Sequence, residues 1–316
     1  MINLILTQVC NRTCQYCFAR DMLNQGVSQG QQFMDAALFQ DALDLAGRSR
    51  AGEIRLLGGE PTLHPDFIAF AEKALARRLK VLVFSNGLIP PQPFEFLKKC
   101  TRKQVGLLIN VNDESSYAHG EYAKLKERLA ALGEKVTCGY NISRPDFDLK
   151  PIVRLVRELK LYPSIRLGLA HPILSGENQH VAWRDVPEIA RKIIEAARFT
   201  DPDDIILGLD CGFTHCMFKD YYGEIMSLRI NFKSCCQPVL DLTPDRKMWY
   251  CLALWGHEKS FTVDDFPDLQ MFREKYEAEF NLVHGLGMLA ECPTCKFRRT
   301  GQCSGGCLSR ILKQWH

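Results

Sequence analysis

Fourteen cysteines stand in this 316-residue chain, and their spacing is the first thing that could do chemistry. Cys10-Asn-Arg-Thr-Cys14-Gln-Tyr-Cys17 is a C-x3-C-x2-C run. Three thiolates on so short a loop reach three corners of a [4Fe–4S] cube, whereas protein cubanes usually take four cysteines, so one iron would stay open. Zinc is the rival; it prefers paired C-x2-C knuckles with a fourth Cys or His close by, and none lies near this loop. Nine more cysteines (Cys211, Cys216, Cys235, Cys236, Cys251, Cys292, Cys295, Cys303, Cys307) crowd the last third, while Cys100 and Cys138 stand alone and read as core thiols. With no export signal in view, this clustering favours metal or iron–sulfur ligation in a reducing, cytoplasmic setting over disulfides. A second chemical signal is Leu56-Leu57-Gly58-Gly59-Glu60-Pro61, where paired glycines let a polar ligand approach the backbone closely. Ser85-Asn86-Gly87 is a third polar turn of the same kind.

The elements that must hold these turns read as alternating βα units. Strands are expected at residues 2–9, 53–57, 80–85, 104–111, 135–142 and 164–170. Amphipathic helices are expected near 35–48, 65–78, 92–100, 117–132, 148–159 and 186–198. The pattern is that of a parallel sheet, either open or closed into a partial barrel, with ligand loops at the carboxyl ends of the strands. Each of the three polar turns follows a strand, which puts them on one predicted face. At Thr200-Asp-Pro-Asp-Asp204 the texture changes, and residues 205–316 become rich in Cys, Gly and aromatics, with short strands near 239–242 and 248–251 and a helix near 265–280. The expected organisation is therefore a core over 1–204 and a small metal-held domain over 205–316.

Taken together, the cysteine triplet after strand one, Gly-Gly-Glu-Pro after strand two and Ser-Asn-Gly after strand three resemble the radical S-adenosylmethionine (SAM) superfamily across about residues 1–200. The resemblance implies an α/β fold, a partial (β/α)6 barrel. Its cofactors would be SAM and a [4Fe–4S] cluster on Cys10, Cys14 and Cys17, the open iron chelated by the SAM amino and carboxylate groups. Reductive cleavage would then release a hydrogen-abstracting 5′-deoxyadenosyl radical. By the same resemblance Tyr16 would pack by the adenine, Gly58, Gly59 and Glu60 would meet the methionine amino group, and Ser85, Asn86 and Asn110 would contact ribose or carboxylate. No residue is singled out as a catalytic base.

The C-terminal series, Cys236-x14-Cys251 and Cys292-x2-Cys295-x7-Cys303-x3-Cys307, is similar to the SPASM extension of radical SAM peptide maturases. It implies one or two auxiliary [4Fe–4S] clusters, on Cys236, Cys251 and Cys307 with one upstream cysteine, and on Cys292, Cys295 and Cys303 with a fourth ligand. Cys211, Cys216 and Cys235 are the candidates to complete the sets, and His215 is a candidate non-cysteine ligand. The chain departs from the family pattern in having no cysteine after Cys307, in the x7 spacing and in Arg246 before Cys251. A single-cluster, twitch-like version therefore stays open. Leu252 stands where sulfatase maturases carry Asp, so formylglycine formation is not expected.

Composition narrows the remaining classes. Forty Lys plus Arg against 37 Asp plus Glu leave a formal charge of +3, too balanced for a polyanion binder, so nucleic acid is not an expected partner. No apolar run approaches the ~20 residues of a membrane span. The leading expectation is an oxidoreductase or maturase that abstracts hydrogen from a peptide, with the auxiliary clusters assisting oxidation or cross-linking, and with an electron donor such as flavodoxin or ferredoxin. The barrel begins almost at residue 1, which speaks against a leader-recognition domain. A radical SAM dehydrogenase acting on a small molecule is the alternative, and a non-catalytic zinc protein the reading from another class. Lys296-Phe-Arg-Arg299 is a basic patch, either solvated surface or a contact for an acidic leader peptide or phosphate.

Overall fold

The computed structural model describes residues 1–30, 32–257 and 260–315. Eight parallel strands run in sequence order: β1 (Ile2–Thr7), β2 (Glu53–Gly58), β3 (Lys80–Ser85), β4 (Val105–Asn110), β5 (Val136–Ile142), β6 (Ser164–Leu169), β7 (Ile206–Leu209) and β8 (Ile230–Phe232). On the other edge β9 (Asp241–Leu242) adds parallel to β1, and β10 (Lys247–Trp249) and β11 (Phe261–Thr262) follow antiparallel. All eleven described strands make one sheet, β11-β10-β9-β1-β2-β3-β4-β5-β6-β7-β8, open between its two edges. The barrel of the expected fold is there, and its sheet runs past residue 204 through β7 and β8.

The first helix, α1 (Arg20–Gln29), packs through Met22 with Ile5, Trp249 and Leu252 in a small cluster of its own, and the outer face is covered by α2 (Ala36–Arg48), α3 (Phe67–Ala76), α4 (Pro91–Lys99), α5 (Glu121–Leu132), α6 (Lys150–Glu158) and α7 (Val186–Thr200). Four more lie beyond the barrel: α8 (Tyr222–Ser227), α9 (Leu269–Leu286), α10 (Lys296–Arg299) and α11 (Leu308–Trp315). Local chemistry sets their starts. Asp35 accepts the Leu38 N–H at 2.7 Å and Asp268 accepts the Met271 N–H at 2.9 Å, each supplying an oxygen to an otherwise orphaned N-terminal donor. Among the described residues no helix is long and apolar enough to cross a membrane.

Side-chain alternation decides which face is core. Ile54, Leu56, Val81, Val83, Val105, Leu107, Ile165, Leu167 and Leu207 point outward under the helices and are at most 1% exposed. Their neighbours Arg55, Phe84, Asn110, Asn141, Arg166 and Gly208 point inward and remain only half-buried. The lumen is therefore open rather than filled by the layers of branched side chains that plug a closed barrel.

Candidate active site

The triplet loop leaves β1 and is fixed from two sides. Gly59 N–H donates to Thr7 O at 2.8 Å and Glu60 N–H to Val9 O at 2.9 Å, so the end of β2 lies directly against the loop. Neither glycine can carry a side chain there. A Cβ at Gly59 would overlap Val9 O and lie 2.7 Å from Cys10 Cβ, while Gly58, at φ +153°, would clash with Thr7 O. Cys10, Cys14 and Cys17 are free, half-buried thiols. Burial pushes Cys10 up and Cys17 to about 11, and the neighbouring thiols of the triplet add to both, so the three sulfurs lie within electrostatic reach of one another. Cys10 and Cys17 are thereby held as thiols and would become thiolates when a cation arrives, as metal ligands must. The donor set and the side-chain-free backbone beside it fit an iron–sulfur cluster with a ligand laid on Gly58 and Gly59.

Glu60 is fully buried and ties two of the turns together. Its carboxyl accepts from Thr62 N at 3.3 Å, Thr62 Oγ1 at 2.6 Å, Ser85 Oγ at 3.0 Å and Asn86 N at 2.8 Å. Burial pushes its pKa up, and those hydrogen bonds oppose the rise. Glu60 and Ser85 are thus turned toward each other, leaving Asn86 at the surface of the turn, where its Nδ2 donates to Asn11 Oδ1 at 2.7 Å and lies 3.9 Å from Cys10 Sγ. Tyr16 donates its hydroxyl to Asn112 Oδ1 at 2.6 Å. Burial and the nearby Cys14 raise its pKa, while Asn141 and Asn112 oppose this, so Tyr16 bridges the triplet loop to the ends of β4 and β5. Asn110 faces the lumen, its Oδ1 lying across Gly139 as Asn141 Oδ1 lies across Gly168.

On the same row of the sheet as Asn110, Arg166 pairs with Asp210 and stands 5.2 Å from the Phe84 ring centroid, with Arg55 at 5.8 Å from the same ring. The register partners of Arg166 on β5 and β7 are Gly139 and Gly208, so its guanidinium has no side chain on either flank. The sequence reading did not single out Asn112, Asn141, Arg166 or Asp210. The signal it passed over was the recurrence of Asn at the ends of β4 and β5, and of Gly at alternate lumen positions 106, 139, 168 and 208.

The C-terminal cysteines fall into two neighbourhoods. Cys211 lies within electrostatic reach of Cys236, Cys251 and Cys307, and its thiol is pushed well up, first by Cys236. Cys307 is likewise raised, first by Cys211, and Ser309 Oγ lies 3.2 Å from its sulfur. Burial raises Cys216, with Cys303 and Cys292 adding to it, and burial raises Cys303, with Cys292 and Cys235 adding. Cys295 begins the turn after Cys292, its carbonyl accepting from Arg298 N at 3.2 Å and Arg299 N at 3.0 Å. Cys235 Sγ sits 3.4 Å from Gly301 O. His215 is packed as an aromatic, its ring stacked 4.1 Å from Phe297, so part of the expected basic patch is turned inward. Cys138 is fully buried and pushed to about 12, and Cys100 is half-buried. Among the described residues no group of three or more His, Cys, Asp or Glu side chains is arranged for a single metal ion.

The Radical SAM superfamily profile matches residues 4–142. An S-adenosylmethionine-dependent nucleotide dehydratase from Selenomonas ruminantium is 35% identical over 100 residues, 29% of this chain and about a third (34%) of that protein. A probable GTP 3′,8-cyclase from Pyrococcus horikoshii is 20% identical over 259 residues, 81% of this chain and 71% of that one. Among solved structures, SuiB of Streptococcus suis bound to S-adenosylmethionine superposes with a TM-score of 0.70 at 15% identity, covering 98% of this chain and 73% of that chain. SuiB has also been solved with the precursor peptide SuiA. At that identity the likeness is one of fold.

Proposed function

We propose that this chain, whose residues 4–142 match the Radical SAM superfamily profile, is a radical SAM enzyme that abstracts hydrogen from a substrate held in the barrel lumen, with two auxiliary clusters at the open edge of the sheet. The observation that carries the proposal is the triplet of half-buried free thiols pressed against Gly58 and Gly59. A [4Fe–4S] cluster on that loop supplies the electron that cleaves SAM to a hydrogen-abstracting radical. Cys10, Cys14 and Cys17 hold it. The Gly58–Gly59 backbone takes the methionine end of SAM, Tyr16 packs by the adenine, and Asn86 and Asn110 meet the ribose or carboxylate. Glu60 and Ser85 orient the turns from within.

Cys211 is the upstream cysteine that completes Cys236, Cys251 and Cys307, because all three lie within its electrostatic reach. Cys216, beside both Cys292 and Cys303, completes the second set with Cys295. It replaces the cysteine that the family carries beyond the position of Cys307. These proximities favour two auxiliary clusters over the twitch-like single one.

For the substrate, the lumen favours a small polar molecule over a peptide chain. Arg166, Asp210, Asn110 and Asn141 offer donors and acceptors within the barrel, beside the Phe84 ring. The relatives named for nucleotide chemistry support this reading. The peptide reading rests on the shared fold of SuiB.

The test is anaerobic reconstitution with iron and sulfide counting, followed by dithionite plus SAM and measurement of 5′-deoxyadenosine. We expect about twelve irons per chain, four per cluster, and product that disappears in Cys14→Ala. Stoichiometric zinc without SAM cleavage would leave only a structural metal protein.

A further inference from the structure

His171 follows β6 and has an unusual position: both ring nitrogens are buried without a well-formed hydrogen bond, and the backbone of Cys211 lies against the ring. A buried polar atom without a partner forfeits the hydrogen bonds it made to water, so such an atom calls for a partner. The Nε2 corner of the ring is directed at Gly212, the residue directly after Cys211. At φ +94°, a Cβ on Gly212 would overlap Nε2 and Cε1 of the imidazole, so this glycine is what admits the ring. The His171 carbonyl accepts from Asn178 Nδ2 at 3.0 Å, and the same Nδ2 reaches Tyr16 O at 3.3 Å, which anchors the His171 loop to the triplet loop. Arg310 lies close to His171 on one side and to Cys307 on the other. The imidazole carries at least one ring N–H in either of its protonation states.

We propose that His171 is a positioning residue for the auxiliary centre, its ring N–H donating to a sulfur of the cluster held by Cys211, Cys236, Cys251 and Cys307 and raising that cluster's reduction potential. A donor aimed at a cluster sulfur stabilises the reduced, more negative state, which moves the potential upward. The inference rests on the four-cysteine reading of the previous subsection. It adds what no ligand count supplies, a reason for an orphaned imidazole and an adjacent glycine at one place.

The experiment uses the full chain with Cys10, Cys14 and Cys17 replaced by Ala, so that only auxiliary centres load. Iron is counted, and the midpoint of each centre is followed by EPR in a redox titration for His171, His171→Phe and His171→Gln. Phe keeps a flat ring without a donor; Gln keeps an N–H. We expect unchanged iron in all three. In the Phe protein the reduced-to-oxidised ratio of one centre should fall about tenfold at fixed potential, a 59 mV drop for one electron, with Gln restoring at least about half of it. A midpoint unmoved in Phe, equal shifts in Phe and Gln, or iron lost from both overturns the proposal. If the chain with His171 intact takes up no iron in this background, the four-cysteine reading has failed and the proposal falls with it; loaded iron with an unmoved potential removes the His171 role alone.

Discussion

Replacing Glu60 by Gln probes how the SAM-side turns are held. The carboxyl faces only donors: two hydroxyls, Thr62 Oγ1 and Ser85 Oγ, and two backbone amides, Thr62 N and Asn86 N. A hydroxyl can rotate to become an acceptor for the new amide NH2, but a backbone N–H cannot. Whichever way the Gln side chain is turned, one backbone N–H is left facing another donor in a fully buried site. Losing a charge-assisted hydrogen bond and stranding that donor amounts to about 2–4 kcal/mol. At about 2.1 cal/mol/K per residue, 316 residues give an unfolding entropy of about 0.7 kcal/mol/K, so the melting temperature should fall by about 3–6 °C. The assay is anaerobic thermal unfolding of both reconstituted proteins, read at 222 nm, together with equilibrium binding of SAM. The turn after β3 loses its tether to the turn after β2, so SAM binding should weaken in parallel. A Gln protein that melts within 1 °C of wild type would refute the reasoning, because the buried carboxylate would then not be holding the two turns.

Four further outcomes follow from the geometry. Cys211→Ser and Cys216→Ser should each lower reconstituted iron by about four per chain, whereas Cys235→Ser should not; metal analysis of the three proteins decides the ligand sets. Gly59→Ala drives a methyl into Val9 O and Cys10 Cβ, so it should abolish deoxyadenosine formation while the auxiliary iron, measured in the same sample, stays bound. Gly208→Val fills open lumen, since a Cβ there meets only Ile165 O at 3.9 Å; the barrel should fold with its usual melting temperature, and turnover of substrate should fall at least about tenfold. His64 is buried, its Nε2 against Met34 O at 2.9 Å and its Nδ1 accepting the Asp66 N–H at 3.0 Å, a pairing only the neutral ring can make. Burial holds its pKa below the usual 6.5, so its contribution is complete above that value and is lost as pH falls through the lowered one. Urea unfolding at pH 7.5 and 5.5 should show a loss of stability on acidification that is smaller in His64→Gln.

The expected strands at 80–85, 104–111 and 135–142 correspond to β3, β4 and β5 within a residue at each end, because each is a run of apolar side chains bounded by turn residues. The strand β7 went unread for a physical reason: Ile206-Leu-Gly-Leu209 is four residues long and follows a polar break, too short for alternation to register. The sheet's continuation past 204 was hidden with it. α1 has Gly26 and few apolar positions, so its period is weak; it forms where Gln8 reaches the Met22 carbonyl at 3.3 Å. The triplet and the glycine turn were legible as local spacing. The partition of the C-terminal cysteines was not, since it depends on bringing Cys211 near Cys236 and Cys307, proximities that spacing in sequence cannot rank.

The pairing of β1 with β9 sets a timetable. Asn3 donates to Asp241 Oδ1 at 2.6 Å across 238 residues of chain, so the first strand made is flanked on one side by β2 and on the other by a strand made nearly last. At about 5–20 residues per second, some 12–48 seconds of synthesis separate the emergence of Asn3 from that of its partner. Throughout that interval β1 is an edge strand, and the loop it leads into carries three unguarded thiols. The same delay that exposes them to oxidants also keeps the loop reachable by whatever delivers iron and sulfide, until β9 pairs with β1 and that edge is covered.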